Sequence, residues 1–216
     1  MDEFSAARER MVQQQIIRRG IESPRLLTVL RQVPRHRFIP PESQEYAYAD
    51  GPLPIGLGQT ISQPYIVALM TDLLQLDGSE TVLEVGTGSG YQAAILSRLA
   101  ARVYTVERHV SLAEHARQIL AELGCVNVQV QIGDGSLGWP AAAPYAGILV
   151  TAAAPAVPPA LLDQLAPGGR LVLPVGPRFN QVLQLWQNTP AGFVSEDILP
   201  VAFVPLCGQA GWPTPD

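Results

Sequence analysis

The stretch Thr81-Val-Leu-Glu-Val-Gly-Thr-Gly-Ser-Gly-Tyr91 joins a short apolar run to a helical pattern through three closely spaced glycines. The run ends at Val85, and the glycines follow at alternate positions, Gly86, Gly88 and Gly90. Apolar residues recur at helical spacing from Ala93 onward. Glycine is needed where a chain turns sharply from strand to helix and where its backbone touches a ligand. The stretch therefore predicts a ligand-binding turn at the carboxyl end of a parallel strand.

Three acids near this turn indicate which ligand it binds. Glu107 lies 21 residues after Gly86, at the end of the next apolar run, where a carboxylate can reach a ribose diol. Asp134 follows the third apolar run and offers an acceptor for an adenine amino group. Glu84 would repel a pyrophosphate, but it suits an ammonium group. Each acid alone could equally be a structural carboxylate in a loop or at a helix cap. Together the three acids favour S-adenosylmethionine over a nicotinamide dinucleotide, because a dinucleotide needs a phosphate site.

Strand and helix patterns alternate along the rest of the chain, which predicts a doubly wound α/β fold. Its sheet is expected to be mostly parallel and seven-stranded, with N-terminal helices and an antiparallel C-terminal strand pair. The expected strands cover 81–85, 102–107, 126–132, 147–151, 170–175, 181–187 and 198–206, and the strand at 126–132 is expected near the sheet edge. Expected helices cover 4–19, the stretch from Ser23-Pro24, the stretch from Pro64, 111–123 and 159–166.

Length and composition favour a single globular domain over residues 1–216. Within it, residues 1–63 are expected to form N-terminal helices and a substrate loop, and residues 64–216 the cofactor-binding sheet. Hydrophobic residues make up 47% and charged residues 15%, which is ordinary for an enzyme and wrong for a disordered chain. No apolar run reaches the roughly 18 residues of a membrane span, and the first residues do not resemble a secretory signal. We therefore expect a monomeric, cytoplasmic protein that does not contact a membrane.

The ionisable residues exclude several kinds of chemistry. All 14 basic residues are arginine, so a Schiff-base lysine and a phosphate-loop lysine are absent. The net charge of −5 does not favour nucleic acid as a partner. Eight arginines fall within the first 40 residues, which could attract an acidic partner but fits a solvated helix face better. The three histidines and two cysteines lack metal-ligand spacing, so neither a metal nor a disulfide is expected.

The chain resembles the class I S-adenosylmethionine-dependent methyltransferases, and more narrowly the protein-L-isoaspartate O-methyltransferases. The resemblance extends from about residue 11 to residue 206, and the segment Thr60-Ile-Ser-Gln-Pro64 is specific to that family. One departure is Ala146, where the family usually has an acid after Pro-Tyr. Matching segments are His36–Pro40, Gly58–Pro64, Val82–Tyr91, Gly133–Gly135, Val150–Pro155, Leu165–Val172, Leu171–Gly176 and Phe203–Leu206.

The resemblance implies methyl esterification of the free carboxylate of isoaspartyl residues in damaged proteins and peptides. The ester then re-forms a succinimide, which reopens partly to aspartate. Ser62 matches the family's active-site residue, and Thr60 lies beside it in the same loop. The resemblance also implies that the cofactor is bound by Ser62, Gln63, Pro64, Tyr65, Gly86, Glu107, Asp134 and Gly135. The pattern around the glycine turn predicts Glu84 and Gly88 as further cofactor-binding residues.

The chemistry is compatible with a site that has no general base. A carboxylate is already ionised at neutral pH, so the site must chiefly place its oxygen in line with the methyl carbon. Ser62 could instead cap the helix at Pro64, and core packing is the expected role of Tyr65 and Tyr91. Three alternatives remain open: a methyltransferase acting on a small molecule, a nicotinamide-dependent oxidoreductase, and a cofactor-binding module without activity.

Overall fold

The computed structural model describes residues 4–178 and 180–213 and contains a β-hairpin and a seven-stranded sheet. The hairpin consists of β1 (Leu53–Gly56) and β2 (Gln59–Ile61). The sheet consists of β3 (Thr81–Val85), β4 (Arg102–Glu107), β5 (Val128–Ile132), β6 (Tyr145–Val150), β7 (Leu165–Val175), β8 (Gln181–Thr189) and β9 (Gly192–Val201). The helices are α1 (Ser5–Met11), α2 (Pro24–Gln32), α3 (Pro64–Leu73), α4 (Tyr91–Leu96), α5 (Val110–Glu122) and α6 (Pro159–Asp163).

The sheet has the strand order β5-β4-β3-β6-β7-β8-β9. Strands β3 to β7 pair in parallel, whereas β8 and β9 are antiparallel to their neighbours. The chain runs outward from β3 to β5 and then returns to place β6 on the other side of β3. A crevice opens at such a reversal, beyond the carboxyl ends of the strands. The doubly wound fold, the edge position of β5 and the antiparallel C-terminal pair are confirmed.

Both faces of the central strands of the sheet pack against helices. On one face, Val82 and Leu149 pack in a cluster with Met70 of α3. On the other face, Leu83 and neighbouring strand residues pack in a cluster with Leu161 of α6. This alternation along single strands is what a sheet covered on both sides requires.

Several element boundaries differ from the sequence prediction. The N-terminal helix is not uniform: α1 continues as a π turn (Val12–Ile16) and a 3-10 turn (Ile17–Arg19) before Gly20 ends it in the left-handed conformation. Strand β7 begins at Leu165 instead of 170, so the expected helix 159–166 is shorter. Strand β9 begins at Gly192 instead of 198 and ends at Val201, because exposed residues pair with β8 without contributing to the apolar pattern.

The long stretch before α3 is folded into short elements. It contains two 3-10 turns, Arg35–Phe38 and Pro41–Tyr46, followed by the β1–β2 hairpin. The hairpin turn at residues 56–58 has three consecutive positive φ angles, and two of these residues are glycine. This hairpin, which sequence periodicity did not reveal, leads directly into the residues expected at the active site.

None of the helices in the described ranges combines the length and the apolar character that crossing a membrane demands.

Candidate active site

A cavity of about 350 Å³ opens at the carboxyl ends of β3, β4 and β6, where the strand order reverses. The glycine turn after β3 lines it, as do Leu57 and residues 59–62 of the hairpin segment. Of the residues predicted to bind the cofactor, those that line this cavity are Ser62, Glu84, Gly86, Gly88, Glu107 and Gly135. The structure therefore brings together most of the predicted site.

Gly86 occupies a position where a side chain does not fit. Its φ angle is +95°, and a Cβ atom there would lie 2.3 Å from the hydroxyl oxygen of Thr151. The Thr151 hydroxyl donates a hydrogen bond to the Gly86 carbonyl at 2.6 Å. Glycine is thus required both by the backbone conformation and by the close approach of the β6 end.

Glu107 is held rigidly at the end of β4. One carboxylate oxygen accepts a hydrogen bond from the Gly88 amide at 2.8 Å, and the other accepts one from the His109 amide at 2.9 Å. The side chain is 5% exposed and lines the cavity. Because a carboxylate oxygen can accept more than one hydrogen bond, Glu107 retains acceptor capacity toward a bound diol.

Glu84 is a completely buried carboxyl group beside the glycine turn. One oxygen accepts a hydrogen bond from Thr105 at 2.5 Å, and the other oxygen has no hydrogen-bond partner in the described structure. Burial raises the pKa of Glu84 to about 8, and the nearby Glu107 charge adds to this rise while Thr105 opposes it. An unpartnered, desolvated carboxyl oxygen on a residue of the cavity lining suits a cationic ligand group.

Asp134 lies outside the cavity lining, although its neighbour Gly135 is part of it. Its carboxylate accepts hydrogen bonds from the amide and hydroxyl of Ser136 and from the amide of Gln209, at 2.6–2.9 Å. Burial alone would raise the pKa of Asp134, but these hydrogen bonds outweigh it and hold the pKa below its usual range. The proposed contact of Asp134 with an adenine amino group stays a prediction.

A second cavity, of about 470 Å³, adjoins the first. Four residues line both cavities: Thr60, Ser62, Thr151 and Val204. The wall of the second cavity also includes residues 199–203, the charged side chain of Arg19 and two of the predicted cofactor residues, Gln63 and Tyr65. Thr60 and Ser62 therefore stand between two spaces, one of which begins at the glycine turn.

The remaining predicted residues have other surroundings. Pro64 is buried as the first residue of α3, and the cap position of that helix is Gln63, so Ser62 is not the cap residue. Tyr91 is 1% exposed and packs in the core as expected, although it also reaches the first cavity. Tyr65 is only half-buried and lies beneath the Arg19 guanidinium, with 4.8 Å between the guanidinium carbon and the ring centroid.

Sequence reasoning missed several lining residues. Arg108 and His109, which follow Glu107, line the first cavity, as does Cys207 near the C-terminal end. Thr151 and Val204 also line it, and they fall within the family-like segments Val150–Pro155 and Phe203–Leu206. The family resemblance was therefore the sequence feature that could have indicated these two residues. Their position at the boundary of two cavities depends on the fold and is not visible in the residue pattern.

Comparison with known proteins identifies the family. Residues 6–211 match the family described as protein-L-isoaspartate(D-aspartate) O-methyltransferase. The chain belongs to this family. A relative from Trichlorobacter lovleyi with the name protein-L-isoaspartate O-methyltransferase is 56% identical over 213 residues, which cover 98% of each chain. A relative of the same name from Methanoregula boonei is 55% identical over 208 residues, which cover 96% of each chain.

Two solved structures have the same architecture as this chain. One, named protein-L-isoaspartate O-methyltransferase, superposes with a TM-score of 0.84 at 30% identity, covering 94% of this chain and 67% of that chain. A structure from Plasmodium falciparum, described as a complex with S-adenosyl-L-homocysteine, superposes with a TM-score of 0.80 at 24% identity, covering 96% of this chain and 99% of that chain. The second likeness supports the fold.

Proposed function

We propose that this protein transfers the methyl group of S-adenosylmethionine to the free carboxylate of L-isoaspartyl residues in damaged proteins and peptides. The observation that carries the proposal is the pair of hydroxyl groups, Thr60 and Ser62, between a cavity at the glycine turn and a second cavity. A methyl donor in one cavity and an acceptor in the other would meet at this boundary. Membership of the protein-L-isoaspartate O-methyltransferase family supports the same reaction.

The first cavity suits the methyl donor. Glu107 faces it from the end of β4, where a carboxylate can bind a ribose diol, and Glu84 contributes a buried oxygen without a partner. An ammonium group would satisfy that oxygen and favour the ionised form of Glu84. We assign Glu84, Gly86, Gly88, Glu107 and Gly135 to the donor.

The second cavity suits the acceptor peptide. Residues 199–204, at the end of β9 and just beyond it, line this cavity together with Gln63 and Tyr65, and the cavity adjoins the first one at Thr60 and Ser62. Thr60 and Ser62 are neutral donors that can orient a carboxylate without the tight ion pair that an arginine would form. We assign Thr60 and Ser62 to the acceptor carboxylate.

The reaction needs positioning more than proton transfer. S-adenosylmethionine supplies a methyl carbon bonded to a positively charged sulfur. A carboxylate oxygen forms a bond to that carbon while the carbon–sulfur bond breaks, and the electron pair of that bond goes to sulfur. No proton moves, so the site requires no base. In-line placement of the two bound reactants can supply about 7–11 kcal/mol of the barrier reduction, and Thr60 and Ser62 contribute part of that placement.

A matched pair of peptides tests the proposal. The two peptides share one sequence and differ only in an L-isoaspartyl or L-aspartyl linkage, and each is incubated with the protein and a methyl-labelled donor. We expect a base-labile methyl ester on the isoaspartyl peptide alone. Equal labelling of both peptides, or binding of S-adenosylhomocysteine without labelling of either, would contradict the proposal and favour another acceptor or an inactive module.

We also propose a single-domain, monomeric protein of the cytoplasm. One apolar cluster supports the single domain, because it contains Met11 and Leu30 from the N-terminal region together with Tyr91 and Ala116. The two cysteines, Cys125 and Cys207, are buried and unpaired, which fits a reducing compartment. Light scattering of the purified protein and fractionation of the source cells test the oligomeric state and the location; a stable dimer or secretion would contradict them.

A further inference from the structure

Arg35 is a fully buried cation whose role the methyl-transfer chemistry leaves unexplained. It begins the 3-10 turn after α2, and it is 0% exposed. Burial lowers the pKa of Arg35 to about 10, so the guanidinium remains charged at neutral pH. In the described ranges it forms no ion pair with a carboxylate. Because a buried charge is costly and an apolar residue in its place is often as stable, stability alone does not account for this side chain.

The Arg35 guanidinium joins two distant points of the chain. Its Nε donates a hydrogen bond to the Ala47 carbonyl, and its Nη2 donates one to the Ser62 carbonyl, both at 2.8 Å. These carbonyls stand at the two ends of the segment 47–62, which contains the β1–β2 hairpin and Thr60. The planar fork of a guanidinium fixes the relative positions of its two acceptors, which a single flexible amine cannot do.

The same guanidinium contacts the helix that follows the glycine turn. Its carbon lies 5.0 Å from the ring centroid of Tyr91, the first residue of α4. The Tyr91 ring is itself held edge-on by Phe38, with 5.4 Å between the ring centroids. Arg35 therefore contacts the segment 47–62 through Ser62, and it contacts the wall of the first cavity through Tyr91.

We propose that Arg35 is a positioning residue for methyl transfer, which holds the Ser62 backbone so that the Ser62 hydroxyl stays at the boundary between the two cavities. This inference rests on the proposed function. Other hydrogen bonds hold the start of the segment 47–62, since the Gln15 amide donates to the Tyr48 carbonyl and the Gln63 amide donates to the Asp50 carboxylate. The hydrogen bond from Arg35 acts at the other end, on Ser62 itself. A displacement of about 1 Å in the groups that orient a reactant can cost roughly 100-fold in rate.

Three variants separate positioning from general stability. Arg35→Met removes the donors, and Arg35→Lys keeps the charge over Tyr91 without the fork. Arg37→Met is the matched control, because Arg37 lies in the same turn, is exposed and pairs with Glu122 at 2.6 Å. We expect Arg35→Met to lower kcat on the isoaspartyl peptide roughly 10- to 100-fold while the Kd for S-adenosylhomocysteine changes less than about 3-fold. The kcat of Arg35→Lys should lie between those of Arg35→Met and the wild type, and the kcat of Arg37→Met should equal that of the wild type.

A kcat within about 2-fold of the wild type in both Arg35 variants would overturn the inference, as would a Kd that rises as much as kcat falls. If Arg35→Met does not fold, Arg35→Lys decides the outcome. A double-mutant cycle adds a second criterion: in a Ser62→Ala background, Arg35→Lys should cost little further kcat, because both changes disturb one unit. Fully additive losses would mean that Arg35 does not act through Ser62.

Amide hydrogen exchange tests the anchoring itself, without activity. Exchange in residues 53–62 should accelerate in Arg35→Lys and remain unchanged in Arg37→Met. Equal exchange in all three proteins would overturn the anchoring role. A wild-type protein that fails to methylate the isoaspartyl peptide would refute the proposed function, and the exchange result would still decide whether Arg35 holds the loop.

Discussion

Ser62 borders both cavities with a neutral hydroxyl group, and its backbone carbonyl is fixed by Arg35. A hydroxyl can orient the acceptor carboxylate, but the charge on that carboxylate decreases as the ester forms. Its hydrogen bond therefore contributes more to placement than to stabilisation of a developing charge. This separates the expected effect on turnover from any effect on donor binding.

Replacing Ser62 by alanine tests this separation. We expect Ser62→Ala to lower kcat on the isoaspartyl peptide roughly 10- to 100-fold, because the acceptor oxygen loses its alignment. The Kd for S-adenosylhomocysteine, measured by calorimetry, should change little. Ser97→Ala is the control, because the Ser97 hydroxyl donates a hydrogen bond to the Ala94 carbonyl and Ser97 lines neither cavity. Unchanged turnover together with weakened cofactor binding would count against the assignment of Ser62.

Glu84 makes stability depend on pH in an unusual direction. The folded pKa of about 8 lies above the ordinary value of 4.5, so the folded state binds a proton more tightly than the unfolded state between these values. The contribution is complete below about pH 4.5 and is lost as pH rises toward 8, at up to about 1.4 kcal/mol per pH unit.

The variant Glu84→Gln should lack this dependence. Urea denaturation at pH 5, 6, 7 and 8, without cofactor, gives the free energy of unfolding of both proteins. We expect the wild type to lose stability relative to Glu84→Gln as pH rises across this window. An exposed-acid variant, Glu114→Gln, should follow the wild type. Parallel curves for wild type and Glu84→Gln would show that Glu84 titrates normally.

The loop after β5 is packed directly against β3. A Cβ atom on Gly135 would lie 2.5 Å from the Cγ1 atom of Val85, whereas one on Gly133 would meet its nearest neighbour, the Gln131 amide nitrogen, at 3.5 Å. Neither glycine has a positive φ, so the two positions differ in space and not in backbone strain. Comparing substitutions at Gly133 and Gly135 therefore measures the effect of the close contact between this loop and Val85.

We expect Gly135→Ala to lower the free energy of unfolding by about 1–3 kcal/mol, because the added methyl group overpacks the end of β3. Gly133→Ala should change it by less than about 1 kcal/mol and could stabilise the protein slightly, because the unfolded chain loses freedom. Urea denaturation of both variants provides the measurement. Equal losses at the two positions would argue against a specific contact with Val85.

Element boundaries show how far local patterns reach. The strand β3, the glycine turn and the helices at Pro24 and Pro64 were predictable, because each has both an apolar pattern and a start or stop residue. The β1–β2 hairpin was not, since its turn uses Leu57 at a positive φ between two glycines, in place of a common turn pair. The early start of β9 was also missed, because its first residues are exposed and pair only through their backbone.

At the scale of the whole molecule, strand order decides which residues meet. The sequence placed Glu84 and Glu107 at the ends of neighbouring strands, and the reversal between β3 and β6 brings both to one cavity. Asp134 also follows a strand, but the C-terminal residues bind its carboxylate outside the cavity lining. That contact joins positions 75 residues apart, which no local pattern predicts.

The second cavity depends on an even longer connection. Residues near Ser62 line one part of it, and residues 199–204, at the end of β9 and just beyond it, line another. The family resemblance predicts Ser62 as the active-site residue, and the fold shows that this residue lines both cavities. Methyl transfer in this protein therefore requires that the two cavities hold the two reactants on opposite sides of Thr60 and Ser62.

A crystal structure of the protein with S-adenosylhomocysteine and an isoaspartyl peptide would show where each reactant binds. We expect the cofactor product in the first cavity, with its ammonium group near Glu84 and its ribose near Glu107. The peptide should lie in the second cavity, with its free carboxylate within hydrogen-bond distance of the Ser62 hydroxyl and directed toward the sulfur. A cofactor bound elsewhere, or a peptide carboxylate remote from Ser62, would contradict the account.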